Sequence, residues 1–353
     1  MKSPDLSQLR AEIDKTLASF TVARSAALLD IGPELEPVAK AMSEFITQGG
    51  KRFRPIFAYL GYLGSGAEAR EEILRACTSL ELVHVCALIH DDVMDGSDTR
   101  RNKPAIHKAF QQYHQDSSYK GSSERFGSSS AILMGDLALV WADRLLVESG
   151  ISGDEFLQVQ SVFADMRDEL MAGQYLDVLE GALATTSIDR SLKVARYKSG
   201  KYSIERPLHF GAALSGKKEL MSVYSSFGLP LGEAFQLRDD LLGVFGDPEV
   251  TGKPAGDDLR EGKRTVLIAL TMQAVGKQER ELLTASLGDE GLDKAQILKL
   301  QEIISSSGAV AQVEKLITEL RDRAISALRD SQVETSILSV LEEMATIATQ
   351  RSL

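Results

Sequence analysis

The segment ALIHDDVMDGSDTRR, residues 87–101, places Asp91, Asp92 and Asp95 at the end of an apolar run, with Asp98 next and then Arg100 and Arg101. Like charges this close repel one another, and desolvation at an apolar boundary makes each of them worse. Something positive must hold them. On a helix Asp91 and Asp95 share a face, and Asp92 stands about 100° round. Carboxylates in this spacing suit a hard cation such as Mg²⁺, which usually completes its shell with waters and substrate phosphates. A helical projection puts Cys77, Leu80, His84, Ala87 and Leu88 on the face of Asp91 and Asp95. An apolar strip that ends in metal-binding carboxylates fits an amphiphile with an anionic head.

The theme recurs in AFQLRDDLLGVFGD, residues 234–247, where Asp239 and Asp240 end another apolar stretch and Gln236 lies about one turn earlier. Helical bundles build metal sites from acidic pairs on facing helices. The basic motifs are equally local. QGGKRFRP (48–55) offers Lys51, Arg52 and Arg54 behind two glycines, TRRNKPAIH offers Arg100 and Arg101, YKSGKYS offers Lys198 and Lys201, and GKPAGDDLREGKRT offers Lys253, Lys263 and Arg264. Arginine forks onto phosphate oxygens, lysine supplies a point charge, and glycines let backbone amides approach an anion. None of these is a P-loop, because no Gly-Lys pair is followed by Ser or Thr. In a chain of net charge −11 they point to diphosphate cradles, while the acidic balance argues against general nucleic-acid or anionic-membrane binding.

Helices must position these groups. Apolar stripes of helical period run through residues 7–29, 34–48, 68–95, 129–148, 153–180, 190–213, 219–245, 263–274, 292–304 and 308–350, the last as two helices. Breaks fall at Gly32-Pro33, Gly64–Gly66, Ser215-Gly216, Gly246–Gly256 and Ser305–Gly308. The Ser/Gly-rich stretch DSSYKGSSERFGSSS, 116–130, is predicted to be a mobile loop. There is no sustained strand alternation, no internal repeat and no linker. A composition of 43% hydrophobic and 26% charged residues is that of a soluble globular chain. The expectation is one all-α domain over residues 1–353. The N-terminus lacks a signal-peptide core, and no uninterrupted apolar stretch approaches a membrane span. Cys77 and Cys86 lie about 13 Å apart along one predicted helix, too far to bridge, which points to a reducing cytoplasm.

The ordered set GGKRFRP, ELVHVCALIHDDVMD…RR, GDLAL, GQYLD, YKSGK, FQLRDDLLG and GKPAGDDLREGKRT resembles the trans-isoprenyl diphosphate synthases, over roughly residues 35–270, and within them most the bacterial geranylgeranyl diphosphate synthases. The resemblance implies a single large helical bundle around a central apolar cavity, a homodimer, and three Mg²⁺ per active site. Asp91 and Asp95 would coordinate two Mg²⁺ on the allylic diphosphate, with Asp92 in support, and Asp239 would hold the third, with Asp240 close by. Lys51, Arg54, His84 and Arg101 would bind the diphosphate of isopentenyl diphosphate. Arg100, Lys198, Lys253 and Lys263 would hold the allylic diphosphate. Ser199 stands where the family often has Thr, Gln236 would sit near the allylic group, and Gln174 and Asp177 near the cavity wall. Two departures stand out: Gly243 occupies the last position of the second motif, often Asp, and NKP (102–104) replaces the more usual glycine after the arginine pair.

The implied reaction is heterolysis of the allylic C–O bond, attack by the double bond of isopentenyl diphosphate, and loss of a proton. Metals and basic side chains would stabilise the leaving diphosphate, and water must be kept from the allylic cation. The charged, glycine-rich segment 246–264 would close over it. Chain length would be set by Leu80, Val83, Cys86, Ala87 and Trp141, with Phe163 as a further floor residue. The small Cys86 and Ala87 let a tail pass, so the expected product is geranylgeranyl diphosphate, with farnesyl or a longer product as the alternative. A terpene cyclase of the same helical class would not need the second diphosphate cradle, and an inactive regulatory subunit should lack the first-motif aspartates.

Overall fold

The computed structural model describes residues 3–247, 255–329 and 331–350. Among the described residues the regular structure is helical apart from one short hairpin. The chain divides into two compact units. One comprises Met1–Phe163, Pro207–Leu220 and Val333–Ile337, the other Ala164–Arg206, Met221–Gln332 and Leu338–Leu353.

In the first unit, α1 (Leu6–Leu29) starts where Asp5 accepts hydrogen bonds from the backbone N–H groups of Ser7 and Gln8, and it turns Leu9, Ile13, Leu17 and Phe20 inward. After α2 (Glu36–Thr47) comes α3 (Phe53–Leu63), every residue of which is buried. Its sequence is a short apolar run with one charged residue, Arg54, and periodicity alone does not tell such a run from a buried strand. The helix α4 (Glu71–Met94) is long and apolar enough to cross a membrane by length and composition. However, 72% of its most apolar window is buried inside the protein, which makes it a core helix. Its half-buried positions near the acidic end include His84, Ala87, Leu88, Asp91 and Asp95, while Leu80 and Cys77 are fully buried. The face projected from the sequence therefore exists as a partly open stripe that closes at Leu80.

The strands β1 (Thr99–Arg100) and β2 (Lys103–Pro104) form an antiparallel hairpin. Then follow α5 (Ile106–Asp116) and α6 (Ser123–Val147), with α6 packed chiefly against α4 and α5. The stretch 116–130 is therefore a loop only up to Ser122, whose side chain caps α6 by accepting from Arg125 N–H. Gly127 is spent on packing, since a Cβ there would overlap the His107 carbonyl of α5.

The helix α7 (Gly153–Leu183) and α8 (Ile188–Val194) precede an eleven-residue π-helical stretch, Ala195–Glu205, and α9 (Arg206–Leu214). The predicted helix 190–213 is thus three segments of different winding. Within the first unit α9 crosses α3 at glycines: a Cβ on Gly61 would meet the backbone of Leu208, and one on Gly211 the backbone of Ala58 and Tyr62.

In the second unit α10 (Leu220–Phe245) is followed by α11 (Asp257–Arg260), α12 (Val266–Ala274), α13 (Lys277–Ser286), α14 (Lys294–Ser306), α15 (Ala309–Leu328) and α16 (Thr335–Thr349). Leu237, Leu241 and Val244 of α10 share a core with Leu267 and Ile268 of α12, Ile304 of α14 and Val313 and Ile317 of α15. The C-terminal helices thus supply the core under the second acidic motif. The helices α3, α5 and α13 had no counterpart among the sequence stripes.

Gly211→Ala should destabilise the protein by about 1–3 kcal/mol through overpacking of α9 on α3. Thermal melting checks this, and an unchanged melting temperature would show that the crossing can open at no cost.

Candidate active site

The last turn of α4 carries Asp91 and Asp92, and Asp95 caps it. Asp92 is buried and held by Arg100, whose Nε donates to Oδ1 at 2.9 Å and whose Nη2 donates to the same oxygen. The positive charge demanded by the crowded aspartates is therefore Arg100. Arg101 (φ 54°) and Asn102 (φ 60°) form the two-residue turn of the hairpin. Both are left-handed, as a type I′ turn requires. Asparagine tolerates that region, which explains how Asn102 replaces the glycine that the resemblance leads one to expect.

The GGKRFRP loop turns on Gly49 (φ 64°), Gly50 (φ 111°) and Arg52 (φ 52°). Arg52 is a structural residue: it is 1% exposed, and it donates to Asp14 Oδ1 at 2.8 Å, Glu81 Oε1 at 2.7 Å and the Ile46 carbonyl at 2.9 Å. Arg101 Nη1 donates to the carbonyls of Phe45 (3.2 Å) and Gln48 (2.6 Å). The two arginines together satisfy carbonyls at the end of α2 that lack helical partners. Lys51 is exposed beside the Phe53 ring, and Arg54 is buried. Burial, and then the charges of Arg54, Arg101, Arg100 and Arg52, hold the His84 imidazole well below its ordinary pKa. This is a neutral donor in a cationic setting, suited to an anion.

Of the chain-length candidates, Ala87 lies on the open stripe and Leu80 at its closed end. Val83 and Cys86 are fully buried, and Cys86 Sγ lies 3.7 Å from His90 Nδ1, off the stripe. Trp141 packs edge-on against Phe20 of α1 at 6.1 Å, and Phe163 edge-on against Phe210 of α9 at 5.8 Å.

In the second unit YKSGK occupies the π-helical stretch, a winding that is rare and frequent at functional sites. Gly173 of α7 makes room for it, because a Cβ there would overlap the Lys198 backbone. Lys198 Nζ lies 2.5 Å from Asp177 Oδ2, and Ser199 is buried beside it. Lys201 is tied to Glu169 at 2.7 Å, a carboxylate that also takes a two-point contact from Arg206. Lys201 is thus committed to structure, and no sequence signal separates it from Lys198.

Asp239 is half-buried and Asp240 buried. Gln236 Nε2 donates to Asp240 Oδ1 at 2.7 Å. Burial foremost, with Asp258 and Asp239 adding to it, pushes the Asp240 carboxyl up to about 8. At Gly243, a Cβ would overlap the Asp258 carboxylate. The last position of the second motif is empty because a carboxylate arriving from α11 fills its space. Lys263 Nζ lies 3.4 Å from Asp258 and 2.6 Å from Glu261. Asp247 is exposed beyond the end of α10. Arg238 clamps the motif from behind, donating to Glu314 of α15 at 2.6 Å through both Nη atoms and to the Thr349 carbonyl at 2.8 Å. Lys253 and the middle of the segment 246–264 lie outside the described residues. The sequence reading missed Asp258, Arg238 and the Arg52–Glu81 pair. The second aspartate of GDD was the one available hint of Asp258.

Among the described residues no three His, Cys, Asp or Glu side chains converge as a metal cage. Asp91 and Asp95, with Asp92 committed to Arg100, fit a cation that takes one or two carboxylates and the rest of its shell from water and phosphate, as Mg²⁺ does.

An all-helical fold in which two helices end in paired aspartates, with arginines clustered near the first pair, is that of the isoprenoid synthase class of enzymes. Residues 36–304 match the polyprenyl synthetase family, and the chain belongs to it as a trans-prenyl diphosphate synthase. It is 31% identical over 280 residues, 78% of this chain and 81% of the other, to a geranylfarnesyl diphosphate synthase of Aeropyrum pernix. It is 28% identical over 316 residues, 88% and 90% of the two chains, to a geranylgeranyl diphosphate synthase of Saccharolobus solfataricus. A crystal structure of a geranylgeranyl pyrophosphate synthase from Corynebacterium glutamicum, complexed with isoprenyl diphosphate and magnesium, superposes with a TM-score of 0.95 at 38% identity, covering 99% of this chain and 100% of that one.

Two outcomes follow. Gly243→Ala should raise or preserve thermal stability, since alanine favours a helix by about 1 kcal/mol over glycine. It should also displace Asp258 and lower prenyl transfer by on the order of tenfold; full activity would show that the position of Asp258 is immaterial. His84 stays neutral in the fold to lower pH than in the unfolded chain, where it titrates near 6.5. The unfolded state therefore binds more protons below that pH, and stability falls as pH drops. Melting curves between about pH 7 and about pH 5 should fall more steeply for the wild type than for His84→Gln, and equal slopes would contradict the assignment.

Proposed function

We propose that the protein condenses isopentenyl diphosphate with dimethylallyl, geranyl or farnesyl diphosphate, in a Mg²⁺-dependent reaction, to give all-trans geranylgeranyl diphosphate. The observation that carries this reading is the partly open stripe of α4, which runs from Asp95 past Ala87 to His84 and closes at Leu80. Leu80 lies about 16 Å along the helix from Asp91, so a prenyl tail anchored at the aspartates has several turns of apolar wall before it meets a floor. Val83, Cys86 and Trp141 would back that wall.

In this reading Lys51, Arg54 and neutral His84 bind and orient the diphosphate of isopentenyl diphosphate, with Arg101 bracing the loop. Lys198, Ser199, Lys253 and Lys263 engage the allylic diphosphate, and Gln236 and Asp240 border its site. When bound, Mg²⁺ would neutralise Asp91, Asp95 and Asp239 and supply the charge that the leaving diphosphate needs. Arg100 keeps Asp92 from adding an unbalanced negative charge. The apolar stripe excludes water from the allylic centre. The Corynebacterium glutamicum structure, with its isoprenyl diphosphate and magnesium, supports the substrate class and the metal. The family match, over residues 36–304, runs through both units, which supports one functional domain rather than two. On α6 the exposed Leu133, Val140 and Val147 recur every seven residues, an apolar line that supports a homodimer. The two cysteines, both free and buried, accord with a reducing cytoplasm.

The test is product analysis with labelled isopentenyl diphosphate and each primer in turn. Geranylgeraniol after dephosphorylation is expected from all three primers, and no product after EDTA. Ala87→Phe should shorten the product by at least one isoprene unit. Farnesol alone from the wild type would move the floor up to Ala87, and no incorporation with Mg²⁺ would overturn the reading.

A further inference from the structure

The GDLAL motif, residues 135–139 of α6, has no part in the chemistry above, yet its glycine touches the acidic end of α4. A Cβ on Gly135 would overlap the imidazole of His90, so only glycine leaves room for that ring. His90 immediately precedes Asp91 and Asp92. Its Nε2 lies 3.0 Å from the Ile132 carbonyl oxygen and 3.7 Å from Asp136 Oδ1. A carbonyl oxygen only accepts, so Nε2 carries the proton and donates. The group facing Nδ1 is the Cys86 thiol, with Sγ at 3.7 Å. Burial foremost, with the Asp136 charge, pushes that thiol up to about 12, so it stays a donor.

Three consecutive residues thus have three different directions. His90 reaches α6, Asp91 lies on the open stripe, and Asp92 meets Arg100 of the hairpin. Helix ends fray and rotate easily. Here the last turn is fixed from both sides of Asp91.

We propose that His90 is a positioning residue, seated in the notch left by Gly135 and bonded to the Ile132 carbonyl, which sets the direction in which Asp91 and Asp95 present their carboxylates to a metal–diphosphate. The proposal rests on reading those aspartates as the metal pair. Groups that orient metal ligands typically change affinity by 10–100-fold when lost.

The test is Mn²⁺ binding to the full-length protein in the presence of inorganic diphosphate, followed by electron paramagnetic resonance, beside metal-free melting curves and condensation rates. His90→Leu fills space without donating, and Gly135→Ala expels the ring. Each should weaken Mn²⁺ binding by about tenfold or more while metal-free melting shifts little. His90→Gln, which keeps an N–H near the Nε2 position, should restore most of the affinity. Adding Gly135→Ala to His90→Ala should cause no further loss, because the ring is already gone. Unchanged affinity in His90→Leu and Gly135→Ala would overturn the proposal. So would a parallel loss of melting temperature and affinity that His90→Gln does not rescue, since that marks simple packing. A wild type that binds no Mn²⁺ with diphosphate would overturn the reading of Asp91 and Asp95 itself, a failure visible before any variant is compared.

Discussion

A buried helix that ends in Asp91, Asp92 and Asp95 is tenable because Arg100 reaches back from a two-residue hairpin and takes one of the carboxylates. The hairpin exists because Arg101 and Asn102 both accept a left-handed backbone. Around it the cations sort into two groups. Arg52 is consumed by Asp14 and Glu81, and breaking such a buried pair typically costs 3–5 kcal/mol. Arg54, Arg100 and Arg101 instead border His84, whose pKa is held down first by burial and then by the charges of these arginines and of Arg52. The first unit therefore pairs Asp92 with Arg100 and Arg52 with Asp14 and Glu81 within its own fold.

The second unit meets the same crowding differently. Asp240 is disfavoured as an anion chiefly by burial, and Asp258 is brought in through the gap at Gly243 instead of standing on α10. The rigid part is behind them: Arg238 ties α10 to α15 and to the end of α16. The C-terminal helices, which carry no motif of their own, thus hold the acidic pair from the rear.

Much of this was legible in the sequence. The apolar run ending in Asp91 and the face shared by His84, Ala87 and Asp91 follow from helical period alone, and the structure keeps them. Other features were not legible for physical reasons. The helix α3 is a short apolar run around Arg54, which periodicity alone does not tell from a buried strand. Ser-rich composition hid the first turns of α6, where Gly127 serves close packing and not a loop. Arg52 and Lys201 look like phosphate ligands in one dimension, because their partners Glu81 and Glu169 lie about thirty residues away in sequence. Gly243 read as a missing carboxylate because the side chain that fills its space comes from another helix. In each case the deciding contact is distant along the chain.

The open stripe of α4 has one further consequence. Its positions return once per helical turn, every 5.4 Å, and an extended prenyl chain lengthens by a comparable step with each unit added. Under the proposed function the wall and the growing tail would be nearly commensurate. Under that function the stripe would be a ruler with discrete graduations, on which one side chain changed from small to large would remove a whole unit from the product while the diphosphate end keeps its geometry.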